Sequence, residues 1–157
     1  MRVRVAWLGR PSASPYEREV ETYRKRVHRR WPAEDRPVRA AAGGRDRDPE
    51  RVLRLESDAL TRSLEAGWRF VALDEHGPAH TSEAFADRLA KLADRGAEGV
   101  LFAIGSDLGL HGDLLARADE TLSLGPMTLP HLLARLVLWE QLFRAANILG
   151  GGAYHRV

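Results

Sequence analysis

The sequence contains no cysteine and only four tryptophans, three tyrosines and four phenylalanines. Without cysteine, a disulfide framework, a catalytic thiolate and a zinc–cysteine site are excluded. No apolar run approaches the roughly 20 residues of a membrane-spanning helix. The first nine residues alternate like a strand and are too short for a signal peptide. We therefore expect a cytoplasmic protein.

Nucleotide and metal motifs are also missing. No Gly-x-Gly-x-x-Gly follows the first predicted strand, and no Gly-x4-Gly-Lys-Ser/Thr occurs, which excludes the Rossmann and P-loop classes. His76 and His80 are four residues apart, but Gly77-Pro78 lies between them. The two imidazoles therefore do not share a helix face, and no metal site is expected.

Lysine is nearly absent, since Lys25 and Lys91 are the only lysines among 24 basic residues. Arginine suits planar, bidentate contacts with phosphate, although codon bias or adaptation to heat explains an arginine excess equally well. The basic side chains cluster in one stretch, at Arg24, Lys25, Arg26, His28, Arg29 and Arg30. Such a run is typical of a nucleic-acid-binding patch or of a solvated helix face, and composition leaves both open.

Strand and helix patterns alternate along the 157 residues, which predicts one α/β domain over 1–157 with a largely parallel sheet flanked by helices. The predicted strands are 2–8, 37–42, 69–74, 99–105 and 121–124. The predicted helices run from an N-cap at Ser14 to about Arg30, from Asp48 to near Gly67, from a cap at Thr81 to Arg95, and from Pro130 to about Ile148. Asp113 is expected to cap a short additional helix.

The terminal helix is apolar over about half of its circumference, and Leu133 and Val137 interrupt its polar side. A helix with so wide an apolar surface is usually buried on more than one side. We therefore expect a dimer through this helix, with Leu138 or Trp139 as candidate partner-facing residues.

The segment Gly105-Ser-Asp-Leu-Gly109 follows the most apolar predicted strand. Ligands bind at the carboxyl ends of strands in open α/β sheets, and glycine lets a backbone approach a ligand closely. A simple tight turn explains the segment equally well. Ser106, Asp107 and His111 are triad residue types, but no Gly-x-Ser-x-Gly elbow surrounds the serine.

Several segments together resemble the RlmH family, the ribosomal large-subunit pseudouridine N3-methyltransferases of the SPOUT class, along essentially the whole chain. The specific segments are Leu73-Asp74-Glu75-x-Gly77, Ser82-Glu83-x-Phe85-Ala86, Ile104-Gly105-x-x-x-Gly109-Leu110, Met127-Thr128-Leu129-Pro130-His131, Glu140-Gln141-Leu142-Phe143-Arg144-Ala145 and Tyr154-His155.

The resemblance implies a C-terminal trefoil knot, a homodimer, and methylation of N3 of a pseudouridine in 23S rRNA on the assembled 70S ribosome, with S-adenosylmethionine as cofactor. The implied cofactor-binding residues are Leu73, Gly105, Leu124, Gly125, Pro126, Met127, Thr128 and Leu129. The implied RNA-binding residues are Arg24, Lys25, Arg29, Arg30 and Arg156. For catalysis, His155 is the candidate proton acceptor, with Tyr154 beside it and Arg144 or Arg156 holding phosphate or the base edge.

One turn departs from the family pattern. Relatives usually carry Gly-Gly-Pro-Glu-Gly where this chain has Gly105-Ser106-Asp107-Leu108-Gly109. This supports a competing hypothesis, a non-catalytic ribosome- or RNA-binding dimer that retains the fold. The intact Thr-Leu-Pro-His and Tyr-His segments support the enzyme.

Overall fold

The computed structural model describes residues 1–39 and 48–152 and contains a five-stranded sheet in which every strand runs parallel to its neighbours. The spatial order of the strands is β2-β1-β4-β3-β5. The strands are β1 (Arg2–Leu8), β2 (Ala33–Val38), β3 (Trp68–Leu73), β4 (Gly99–Ile104) and β5 (Glu120–Leu122). The predicted α/β class with a parallel sheet is confirmed, whereas the knot and the single domain over 1–157 stay predictions.

Five α-helices in the described part of the chain cover the two faces of this sheet. They are α1 (Glu17–His28), α2 (Pro49–Thr61), α3 (Ser82–Asp94), α4 (Gly112–Arg117) and α5 (His131–Leu149). Alternate residues of β1 point to opposite faces, as in any strand. Val3, Val5 and Trp7 pack with α1, α3 and α5, while Ala6 and Leu8 pack with α2 and α4. The result is a three-layer arrangement in which β4 is buried along its whole length.

Two helix starts agree with the sequence because their signals are local. The side chain of Asp48 accepts a hydrogen bond from the backbone N–H of Glu50, and that of Thr81 accepts one from Ala84. Two expected caps are wrong. Helix α1 begins at Glu17, with Ser14 in the preceding turn, and α4 is capped by His111, whose Nδ1 accepts from the backbone N–H of Asp113.

Two element boundaries also differ from the prediction. Helix α2 ends at Thr61, and Gly67 instead takes a positive φ immediately before β3. The prediction places strand β2 at 37–42, of which 40–42 lie outside the described residues, and the strand occupies Ala33–Val38, because its pairing with β1 sets Ala33 beside Val3 and Pro37 beside Trp7. Strand β2 is an edge strand, where a proline that lacks an N–H is tolerated.

Helix α5 lies between α1 and α3 and packs on β1 and β4. Leu138 and Trp139 have no exposed surface and belong to the core of their own chain. The expectation that one of them faces a partner is therefore wrong. The half-buried Leu133 and Val137 lie outside that core cluster.

Candidate functional site

A cleft of about 640 Å³ opens at the carboxyl ends of β3, β4 and β5. Three strand-end segments and the beginning of α5 form its walls: 73–75, 104–110, 122–125 and 127–131, with Ala134. Parallel strands end at the same edge of a sheet, so their following loops meet there, and this edge is where open α/β sheets bind ligands. The volume lies within the range of small-molecule sites.

Seven of the eight residues expected to bind a cofactor line this cleft, namely Leu73, Gly105, Leu124, Gly125, Met127, Thr128 and Leu129. The eighth, Pro126, is exposed in the same loop and is not on the cleft wall. The fold thus brings together three segments that are separated by up to about 50 residues in the sequence.

The turn after β4 is closely folded on itself. The backbone N–H of Gly109 donates to the carbonyl of Ser106 at 2.9 Å, and Gly109 has a φ of +82°, which favours glycine. A Cβ added at Gly105 would lie closer than 3.0 Å to the carbonyl of Gly109. Gly105 is therefore required by the turn's own backbone, before any ligand is considered.

Side chains tie this turn to helices on both sides of the sheet. The hydroxyl of Ser106 donates to Oε2 of Glu56 on α2 at 2.6 Å. On the other side, Nδ1 of His131 at the start of α5 lies 2.9 Å from Oδ1 of Asp107. Two of the three residues that depart from the family pattern, Ser106 and Asp107, thus fasten the turn in place.

The loop after β5 is held by its own hydroxyl groups. The hydroxyl of Ser123 donates to the carbonyl of Gly125 and accepts from its N–H. The hydroxyl of Thr128 donates to Oε2 of Glu75 at 2.6 Å, which joins this loop to the end of β3. With Asp74, Glu75 and Asp107 on its wall, the cleft combines leucine side chains with negative charge and suits an apolar ligand that carries a positive charge.

The basic side chains of α1 differ in how far they are engaged. Arg24 makes two hydrogen bonds to Glu21 and one to the carbonyl of Ala33. The hydrogen bonds with Glu21 raise the pKa of Arg24, and Arg24 lowers the pKa of the Glu21 carboxyl. Lys25 also lies 3.4 Å from Glu21, and the guanidinium of Arg30 lies 5.3 Å from the Trp31 ring.

Arg29 is exposed and lines a second pocket, of about 540 Å³, with Arg26 and Phe143 at the carboxyl end of α5. The Arg26 guanidinium lies 5.2 Å from the Phe143 ring. This basic and aromatic surface is separate from the cleft at the strand ends.

The candidate catalytic residues are not brought together in the described part of the chain. Arg144 is hydrogen-bonded to Glu140 at 2.8 Å, and it follows His131 by 13 residues, about 20 Å along the helix. It therefore lies far from the cleft of its own chain. Tyr154, His155 and Arg156 lie outside the described residues.

The sequence interpretation missed the pairing of Asp107 with His131. It grouped Asp107 with His111, but the structure places His111 against α2, where its Nε2 lies 2.8 Å from Oε1 of Glu50 and its backbone N–H donates to Ser57. Asp107 and His131 are 24 residues apart, so no local pattern links them. The only available signal was the position of His131 at a predicted helix start following a ligand loop.

Among the described residues, no helix is long and apolar enough to cross a membrane, and no group of three or more histidine, aspartate or glutamate side chains is arranged to hold a metal ion.

Comparison with known proteins gives a match along nearly the whole chain. The model of a family described as predicted SPOUT methyltransferase matches residues 1–155. The ribosomal RNA large subunit methyltransferase H of Rhodospirillum centenum is 41% identical, with 99% of each chain covered. The protein of the same name from Anaeromyxobacter sp. is 42% identical over 99% of this chain, and that of Caulobacter vibrioides is 50% identical over 64% of each chain.

Proposed function

The chain belongs to the SPOUT methyltransferase family, and from this premise we propose that it methylates N3 of a pseudouridine in the 23S rRNA of the assembled 70S ribosome, with S-adenosylmethionine as methyl donor. A ribosomal substrate places its activity in the cytoplasm. The observation that carries the proposal is the cleft at the strand ends, whose wall includes seven of the eight expected cofactor residues.

The residues of the cleft fit this cofactor. Leu73, Leu124 and Leu129 offer apolar surface to an adenine ring. Asp74 and Glu75 place carboxylates where a sulfonium cation gains from negative charge. When bound, S-adenosylmethionine supplies an electrophilic methyl carbon on a positively charged sulfur.

The protein contributes orientation, exclusion of water and removal of the N3 proton. Holding two reactants in line converts a bimolecular reaction into an effectively unimolecular one. Within this proposal, His155, with Tyr154 beside it, is a candidate for accepting the proton. Arg156 or Arg144 contacts the RNA. Because Arg144 lies about 20 Å along α5 from the cleft of its own chain, it acts at the cleft of a second copy.

A homodimer through α5 supports that arrangement. Leu133 and Val137 are half-buried apolar residues on the side of α5 that the chain's own core cluster leaves out. In a twofold dimer the same surface of each copy packs against the other, so α5 of a second copy would pack on this side.

The RNA contacts are proposed for exposed basic side chains at the end of α1 and directly after it, with Lys25, Arg29 and Arg30 as phosphate ligands. Arg24 was expected to share this role, and it contributes less because its guanidinium is already bonded to Glu21 and Ala33.

The competing function is a non-catalytic RNA-binding dimer, and the changed turn after β4 is its support. The enzyme is favoured because the changed turn still forms part of the cleft wall. Its Gly109–Ser106 hydrogen bond closes the turn, and the contacts of Ser106 with Glu56 and of Asp107 with His131 hold it in place.

Calorimetry with S-adenosylmethionine tests the cofactor site. Leu124→Glu places a carboxylate against the leucine wall where adenine is expected, so binding should be lost. Leu115→Glu is the matched control, because Leu115 is also half-buried but belongs to α4 and packs against the core on the other sheet face. Equal binding by both variants, with folding verified by circular dichroism, would contradict the site. Binding without methyl transfer to ribosomes would favour the non-catalytic dimer.

A further inference from the structure

Among the described residues that line the cleft, His131 is the only histidine, and Asp107 faces it across the opening. Nδ1 of His131 lies 2.9 Å from Oδ1 of Asp107. The imidazole comes from the first turn of α5 and the carboxylate from the turn after β4. The His131 side chain is 22% exposed and that of Asp107 is 82% exposed, so the pair lies on the rim, where a second substrate approaches.

This pairing fixes which ring nitrogen carries a hydrogen. A carboxylate only accepts hydrogen bonds, so Nδ1 donates to Asp107, and in the neutral ring the lone pair is then on Nε2. Within the part of the chain that the structure describes, Nε2 has no hydrogen-bond partner. The other possible bases on the cleft wall are less suitable than His131. The hydroxyls of Ser106, Ser123 and Thr128 are all engaged in hydrogen bonds. The carboxylates are weaker bases than imidazole.

The same cleft offers a place for the acceptor base. Leu108 and Met127 are 52% and 77% exposed, the exposed large apolar residues of the described chain, and both line the same cleft. Enzymes that react with a nucleobase hold it between apolar or aromatic side chains after it leaves the stack. A base held between Leu108 and Met127 would lie in the cleft that His131 also lines.

We infer that Nε2 of His131, in place of the candidate His155, accepts the N3 proton and that Asp107 is the residue that positions it, an inference that rests on the proposed function. His131 takes the proton of the N3–H bond, and the electron pair left on N3 forms the bond to the methyl carbon. The bond between that carbon and sulfur breaks with its electron pair on sulfur, which becomes neutral. The imidazolium returns the proton to solvent at the exposed rim.

Single-turnover methyl transfer to ribosomes that lack this methyl group tests the pair. His131→Ala should slow transfer by about 10²–10⁴-fold, the usual contribution of a proton-transfer group, while the Kd for S-adenosylmethionine changes far less. Added imidazole should restore part of the rate, which a purely structural role of His131 does not allow. Asp107→Asn should cause a smaller loss, because the amide oxygen still accepts from Nδ1.

His76→Gln is the matched control, because His76 also lies beside an aspartate, with its Nδ1 3.3 Å from Asp74, but is 83% exposed and off the cleft wall. Its rate should equal that of the unaltered protein. Should His131→Ala misfold by circular dichroism, His131→Gln decides in its place.

The inference is overturned if the His131 variants transfer at the full rate, or if imidazole fails to rescue them and cofactor binding falls in parallel. It is also overturned if His155→Ala is the variant that imidazole rescues. Absence of transfer by the unaltered protein would instead contradict the proposed function itself, and the pair's role with it.

Discussion

Asp35 accepts four hydrogen bonds from three buried side chains. Arg135 donates from Nε and Nη2, and the indole N–H groups of Trp7 and Trp139 donate one each, at 2.6 to 2.9 Å. Arg135 is fully buried, with its guanidinium 3.9 Å from the Trp7 ring. Burial opposes its charge, yet the hydrogen bonds with Asp35 and Glu17 raise its pKa. This cluster joins α5 to β1, β2 and α1.

Removing that carboxylate should therefore destabilise the whole domain. Asp35→Ala leaves a buried guanidinium with only Glu17 and leaves two indole N–H groups without acceptors, so we expect a loss of about 3–5 kcal/mol in the free energy of unfolding. Urea denaturation measures it. Asp87→Ala on the exposed face of α3 is the control and should stay within about 0.5 kcal/mol. Equal stability of the two variants would mean that the cluster does not stabilise the fold.

Gly105→Ala should also cost stability, because the added Cβ meets the backbone of Gly109. Overpacking of this kind costs about 1–3 kcal/mol. Gly112→Ala at the start of α4 is the control, since a Cβ there meets nothing within 4 Å. Thermal unfolding of both variants measures the difference, and an unshifted Tm for Gly105→Ala would show that the turn opens freely. Substitution at Gly105 thus tests the turn as much as the cofactor site.

At the scale of elements, the sequence predicted what local signals determine. Asp48 and Thr81 cap α2 and α3 as expected because the cap contact spans two or three residues. The predicted position of strand β2 was wrong because parallel pairing with β1 joins residues 30 apart. No local sequence pattern in 37–42 indicates that pairing. The same reason explains why the bond between Asp107 and His131 was not predicted.

Helix α5 has two apolar sides with different expected roles. Leu133→Glu should place a charge in the proposed dimer interface and yield a folded monomer, whereas Leu138→Glu should unfold the chain, because Leu138 has no exposed surface. Sedimentation at micromolar concentration together with circular dichroism distinguishes these outcomes. A Leu133→Glu protein that sediments like the unaltered dimer would remove this face from the interface, and an unaltered monomer would reject the dimer.

At the scale of the whole molecule, the order β2-β1-β4-β3-β5 gathers the ends of β3, β4 and β5 with the start of α5 into one cleft. The family resemblance identified the residues on that wall, because Leu73, Gly105 and the segment 124–129 lie in recognisable motifs. It did not predict that Ser106 bonds to Glu56 or that Asp107 pairs with His131, because those contacts depend on how α2 and α5 pack against this chain's own turn.

Mapping the transferred methyl group on the RNA is the decisive experiment for methylation of a ribosomal pseudouridine at N3. Purified protein is incubated with labelled S-adenosylmethionine and 70S ribosomes from a strain that lacks this methylation, and the digested RNA is analysed by mass spectrometry. We expect one methyl group on N3 of a pseudouridine of the 23S rRNA. Cofactor binding without label in the RNA, or label on another base or another atom, would contradict it.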